Sequence, residues 1–223
     1  MLLRSLFLTV AIAIVPLTAF AENEGAPLLD QAIEAKLTAQ SLPELGKVIE
    51  LIEQATEAGL DDENTQLAEG LLVSALMQRA NVLGAAIFQA SPTNPQLAAQ
   101  LPRLIQVALS DVQKIVELDP TQVEAQYLLG RLLSLPGGNR EQAREALTAA
   151  LELSEVDDEK AKILTSRGDI QDDPADRLAD YEAALEIDPT QVVALRHPGQ
   201  VLVESGDPEA ALTDFDAAVE NEP

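Results

Sequence analysis

The pentapeptide Asp-Pro-Thr-Gln-Val occurs twice, at Asp119–Val123 and at Asp188–Val192, with starts 69 residues apart. Each copy follows Glu and an aliphatic residue, Glu117-Leu118 and Glu186-Ile187. The interval divides further. Glu117, Glu152, Glu186 and Glu220 are spaced 35, 34 and 34; Leu147, Tyr181 and Phe215 are spaced 34 and 34. Ala150, Ala184 and Ala218 keep the same step, and Pro189 and Pro223 are also 34 apart. The one longer interval falls across Leu135-Pro136-Gly137-Gly138-Asn139, a turn-rich stretch that can absorb an extra residue at little entropic cost. Internal repeats of this length build stacked arrays, because one unit cannot bury its apolar face alone.

The unit reads as two helices. Small residues (Gly130, Ala143, Ala150, Ala184, Gly199, Ala211, Ala218) recur across the units, with the bulkier Leu147, Tyr181 and Phe215 among them. Pro189 and Pro223 end the second helix of their units, since Pro lacks the N–H that would continue it. Gly206-Asp207 supplies the turn in the last unit, and Pro136-Gly137-Gly138 does so in an earlier one.

This pattern resembles the tetratricopeptide repeat, a helix-turn-helix unit of 34 residues. From Val192, residues Gly199, Ala211, Phe215, Ala218 and Pro223 fall on the family's positions. From Val123, Gly130, Ala143, Leu147 and Ala150 do so, with Leu147 in place of the aromatic. From Asp158, Tyr181, Ala184 and Pro189 fit, whereas Thr165 replaces the first Gly and Arg177 an Ala. The resemblance covers about 118–223. It implies an all-α solenoid of stacked antiparallel helix pairs forming a right-handed superhelix with a concave groove.

The first residues read as a secretory signal peptide. Arg4 gives the positive start, Leu6–Val15 the apolar run, and Ala19-Phe20-Ala21 a small-x-small cleavage site before polar Glu22. The apolar run is short for a span of about 20 residues and is followed by Pro16. Beyond Ala21 the reading expects no integral membrane span. The expected organisation is a signal peptide over 1–21, a flexible leader over 22–27, divergent helical repeats over 28–117, and three tetratricopeptide-like repeats over 118–223. Within the divergent part, helices are expected over Leu28–Gln40, from Ser41-Leu42-Pro43-Glu44 to a stop at Gly59, over Glu63–Gln89, and from about Pro102 to Leu118. Arrays of this kind usually end on a polar capping helix. Pro223 is the last structural position of a repeat, so either further repeats follow or the acidic last helix caps the array.

Composition narrows the chemistry. The chain has 14 basic and 38 acidic residues, a formal net charge of −24, and cleavage would remove only Arg4 from that balance. Such a chain repels nucleic acid and anionic membranes unless a basic patch overrides the field. Cys is absent and His197 is the single His, so neither thiol chemistry nor a histidine-rich metal site is available. No nucleophile stands beside a base, and no Gly-rich phosphate loop precedes a helix. No catalytic residue, metal or cofactor is expected.

A binding role has one specific feature. In the family the groove is lined chiefly by the first helix of each repeat, at its second, fifth, ninth and twelfth positions. The fifth positions here are Tyr127, Lys162 and Arg196; the ninth are Arg131, Ser166 and Gln200. Tyr127, Arg131, Lys162 and Arg196 are therefore the candidate groove residues, suited to an acidic or C-terminal segment of a partner protein or peptide. Some relatives use Lys and Asn at such positions to hold a C-terminal carboxylate, and this chain departs from that set. The alternative for these cations is pairing with neighbouring carboxylates. Pro198, inside a predicted first helix, would bend it and present Arg196 and His197, or mark a late helix start. The expected function is a non-catalytic scaffold in an exported compartment. The alternatives are an N-terminal interaction region of a longer exported protein and, with no positive feature behind it, an enzyme.

Overall fold

The computed structural model describes residues 23–90 and 95–188, with positions 201 and 203. Among these, eight helices follow one another without a strand: α1 (Ala26–Thr38), α2 (Leu42–Ala58), α3 (Asp62–Phe88), α4 (Pro95–Leu118), α5 (Val123–Leu133), α6 (Arg140–Leu153), α7 (Asp157–Gly168) and α8 (Pro174–Ile187). Pro189, Arg196, Pro198, Gly199, Ala211, Phe215, Ala218 and Pro223 lie outside the described residues.

Local chemistry sets the boundaries. Ser41 opens α2 with a capping box: its hydroxyl accepts from the Glu44 N–H while the Glu44 carboxylate accepts from the Ser41 N–H. Hydrogen bonds from the Gln40 N–H first, then from the Ser41 hydroxyl and the Ser41 N–H, hold the Glu44 carboxyl below the usual range. Gly59 ends α2 at φ 101°, a conformation that favours glycine. The first copy of the duplicated motif is a turn staple. The Asp119 carboxylate accepts from the Thr121 hydroxyl (2.6 Å), the Gln122 amide (2.6 Å) and the Thr121 N–H (3.0 Å). Pro120 meanwhile stops α4, and Gln126 donates back to its carbonyl.

Two boundaries differ from the sequence expectation. The stretch 22–27 is not all a loose leader: α1 starts at Ala26, the Gly25 N–H donates to the Gly59 carbonyl at 2.9 Å, and Asn64 donates to Asn23. In α4, Pro102 lies inside the helix and Pro95 opens it. Pro102 is exposed, as is Ala98, so the carbonyl freed one turn earlier faces water. Leu101, Leu104, Ile105, Ala108 and Val112 continue one apolar stripe across the proline.

Consecutive helices pair as α1–α2, α3–α4, α5–α6 and α7–α8, and each pair packs on the next through α2–α3, α4–α5 and α6–α7. First helices also touch one another, α1 with α3 and α3 with α5, which puts them on the inside of the array. The apolar core runs without a break from Leu29 through Leu45, Ile52, Leu76 and Val112 to Leu132. Leu109 and Leu129 join it to a second group holding Leu133, Ala143, Leu147, Ala150 and Ile163. Ala143, Leu147, Ala150 and Ala184 are completely buried, and Gly130 and Tyr181 nearly so.

The small residues allow this approach. A Cβ at Gly130 would meet Leu147, and one at Gly168 would stand 2.6 Å from the Tyr181 ring. Gly168, not position 165, thus supplies the space for Tyr181; Thr165 is buried with its hydroxyl donating to the Ala161 carbonyl. Two buried ion pairs also join first to second helices. Arg79 grips Asp111 through Nε (2.7 Å) and Nη2 (2.6 Å). Arg167 grips Asp180 in the same two-pronged way and reaches Thr148 on α6.

One described helix bears on the expectation that no integral span follows Ala21. The 27 residues of α3 include an 18-residue window of mean hydropathy 1.5, long and apolar enough by composition to cross a membrane. Its place in the array accounts for part of that composition: α3 packs against α1, α2, α4 and α5, so apolar residues are needed on more than one side, and a third of the window is buried. The helix also carries Arg79, committed to Asp111.

Candidate partner-binding groove

The inner face is set by α3, α5 and α7. Between α3 and α5, Asn81 donates to the Glu124 carboxylate at 2.8 Å and Gly84 packs on Leu128. One turn further, the Arg131 guanidinium lies 3.7 Å from the centre of the Phe88 ring. Between α5 and α7, the Tyr127 and Ser166 hydroxyls are 3.3 Å apart. The spacing of first-helix positions therefore converges in space: Tyr127, Arg131, Lys162 and Ser166 all lie on α5 and α7 along this face. Arg196 and Gln200 are outside the described residues.

Two clefts flank α5. One, of about 410 Å³, lies between α3 and α5 and is lined by Asn81, Ala85, Phe88, Gln89, Leu128 and Arg131. The other, of about 330 Å³, lies between α5 and α7 and is lined by Val123, Glu124, Tyr127, Glu159, Lys162 and Ile163.

The cations behave differently from their counterparts elsewhere. Arg79, Arg144 and Arg167 each have a carboxylate partner. Among the described residues, neither Arg131 nor Lys162 has one within ion-pair distance. Arg131 is half-buried between two aromatic rings instead, with Tyr127 5.6 Å away on its other contact. A guanidinium stacked on a ring keeps its in-plane N–H groups available to an oxyanion. Lys162 is exposed in a cleft that also holds Glu124 and Glu159.

Sequence reasoning missed Phe88, Asn81, Glu124 and Glu159. Phe88 and Asn81 belong to the divergent part, where no register assigns an inward position. Glu124 and Glu159 carried a usable signal: each is the second residue of its unit, one of the inward positions of the first helix.

The comparisons with known proteins agree with this architecture. Residues 123–157, which hold α5 and α6, match the tetratricopeptide repeat model. No curated protein matches the chain by sequence. Among solved structures, YrrB, described as a TPR protein with an unusual peptide-binding site, superposes with a TM-score of 0.59 at 18% identity, over 90% of this chain and 88% of that one. A MamA protein gives 0.58 at 20% identity, over 89% and 91%. The segment of MamA from residue 41 to its end, from Desulfovibrio magneticus RS-1, gives 0.55 at 16% identity, over 88% and 94%. Identities this low speak to the fold alone, and the fold is an α-solenoid of the tetratricopeptide-repeat type.

Proposed function

We propose that the chain is an exported, non-catalytic scaffold that holds a partner protein or peptide along the inner face of its first helices. Tyr127, Arg131, Lys162 and Arg196 meet an acidic or C-terminal segment of that partner. The observation that carries this reading is Arg131: in a chain of net charge −24, it rests on Phe88 and Tyr127, with no carboxylate within ion-pair distance among the described residues. A cation in a walled groove attracts a carboxylate more strongly than one on an open surface. The peptide-binding role in YrrB's description supports the same use of the fold, and the signal-like order of Met1–Ala21 supports export.

The test starts from a partner recovered with the mature chain from the envelope fraction and then purified. Arg131→Glu with Arg196→Glu abolishes its binding, while Asp61→Asn with Asp62→Asn, at the exposed start of α3, leaves affinity nearly unchanged. Circular dichroism checks that each variant stays helical. Wild-type affinity in the double reversal would remove the groove from the interaction.

A further inference from the structure

We infer that the groove reads a segment of mixed charge: a carboxylate seated on Arg131 in the α3–α5 cleft, and an aliphatic residue beside a Lys or Arg in the α5–α7 cleft. This rests on the groove reading above and keeps its acidic contact at Arg131, but departs from it at Tyr127 and Lys162, whose cleft takes the aliphatic-basic pair instead.

The two clefts have opposite characters. In the α3–α5 cleft the formal charge is that of Arg131, and the side-chain amides of Asn81 and Gln89 flank it. Ala85, small and exposed, forms part of the α3 wall beside Arg131. A planar carboxylate matches that edge in a bidentate manner.

The α5–α7 cleft is different. Val123, Tyr127 and Ile163 give it an apolar floor, and its rim holds two carboxylates against one ammonium. Both carboxylates are positioned by neutral donors: Glu124 accepts from the Asn81 amide (2.8 Å) and Glu159 from the Ser154 hydroxyl (3.0 Å). Neither has a cation within ion-pair distance among the described residues, and with Lys162 counted the rim keeps a net negative charge. An acidic ligand side chain would meet net repulsion here. An aliphatic group can occupy the floor while a cation reaches the rim, as long basic side chains do when their stems cover apolar surface.

The spacing follows from α5. Glu124 and Arg131 are seven residues apart on one helix, about 10 Å at 1.5 Å per residue. An extended chain covers that distance in about three residues. The acidic position and the aliphatic-basic pair of the ligand are therefore about three residues apart.

Fluorescence anisotropy with four synthetic decapeptides tests this on the mature chain. One peptide carries Glu and, three positions on, Leu-Lys; one has Glu at both charged sites; one has Lys at both; one scrambles the first. The mixed peptide binds at least about tenfold tighter than the other three, a difference of 1.4 kcal/mol. Arg131→Gln removes that advantage over the all-Lys peptide. Glu124→Gln with Glu159→Gln weakens the mixed peptide and strengthens the all-Glu one. If the all-Glu peptide binds as tightly as the mixed one and both weaken in Arg131→Gln, the mixed-charge inference is overturned while the groove reading stands. If no peptide binds better than the scrambled one, the inference is likewise overturned, and the groove reading is then judged by the double-reversal experiment alone.

Discussion

Gly130 of α5 and Leu147 of α6 approach so closely that a Cβ on the glycine would stand 2.5 Å from Leu147 Cγ and 3.1 Å from the Ala143 carbonyl oxygen. Replacing a mid-helix glycine with alanine ordinarily stabilises a helix by about 1 kcal/mol. Here the backbone oxygen and a fully buried leucine leave no room, and overpacking of that kind costs about 1–3 kcal/mol. Gly130→Ala is therefore expected to lower stability. Gly70, in the same helical setting on α3 but with nothing within 4 Å of its Cβ position, supplies the control. Gly70→Ala is expected to gain about 0.5–1 kcal/mol. Urea midpoints of the two variants should move in opposite directions, and a shared upward shift would show that α5 and α6 can part without cost.

The Arg79–Asp111 pair makes a second prediction. The Asp111 side chain is 3% exposed and Arg79 20%. Removing one partner strands the other in the core, so Asp111→Ala should cost about 3–5 kcal/mol. Replacing both by apolar residues of similar volume, Arg79→Met with Asp111→Leu, should recover most of that loss, because the desolvation penalty disappears with the charges. A double variant no more stable than Asp111→Ala would mean that the pair contributes strongly in its own right.

Tyr181 links packing to pH. Its ring covers Gly168 and its hydroxyl donates to Asp169 at 2.9 Å. Burial first, then the charge of Asp169 and that hydrogen bond, push its ionisation well above the ordinary phenol value. The folded-state pKa thus exceeds the unfolded one of about 10. Stability from this group is full below that pH and is lost as the pH rises toward the folded-state value, because the unfolded chain ionises first. Thermal midpoints should fall above about pH 10 more steeply in the wild type than in Tyr181→Phe, which should itself cost about 1 kcal/mol at neutral pH. Tyr181→Ala should cost about 3–5 kcal/mol. Parallel alkaline profiles in wild type and Tyr181→Phe would remove Tyr181 from the pH response.

What the sequence disclosed follows from where selection of residue type is tight. Gly130, Ala143 and Ala150 can be read because only small residues fit a close helix crossing, and Ser41 with Glu44 because a helix start needs those donors satisfied. The buried pairs Arg79–Asp111 and Arg167–Asp180 were not legible. Their partners lie 32 and 13 residues apart, at no fixed spacing, in a chain where carboxylates are common. Pro102 misled because proline ordinarily marks a helix start or stop, and here the packing of Leu101, Leu104 and Ile105 on the core carries the helix through it. Of the candidate groove, Tyr127, Arg131 and Lys162 were placed by register, and the structure sets them on the facing helices α5 and α7. Phe88, which holds Arg131, comes from a helix with no readable register.

Export gives the last prediction, and the structure sharpens it. The order Arg4, an apolar run to Val15, then Ala19-Phe20-Ala21 reads as a cleavable signal, and on that proposal the mature chain should begin at Glu22. The packed array begins just after that point: Asn23 is hydrogen-bonded to Asn64 and Gly25 to Gly59, with α1 following at Ala26. Cleavage after Ala21 keeps both of those contacts, whereas cleavage a few residues later removes them. A chain starting at Glu22 should therefore be fully stable, and one starting at Ala26 should lose stability, since a packed helix entrance is undone and the Gly59 carbonyl and the Asn64 amide lose their partners. Mass spectrometry of protein recovered from the envelope should give Glu22 as the first residue, and thermal midpoints of the two truncated chains should rank in that order. Intact Met1 in a soluble cytoplasmic fraction would overturn the export assignment, and equal midpoints would show that residues 22–25 do not contribute to the array.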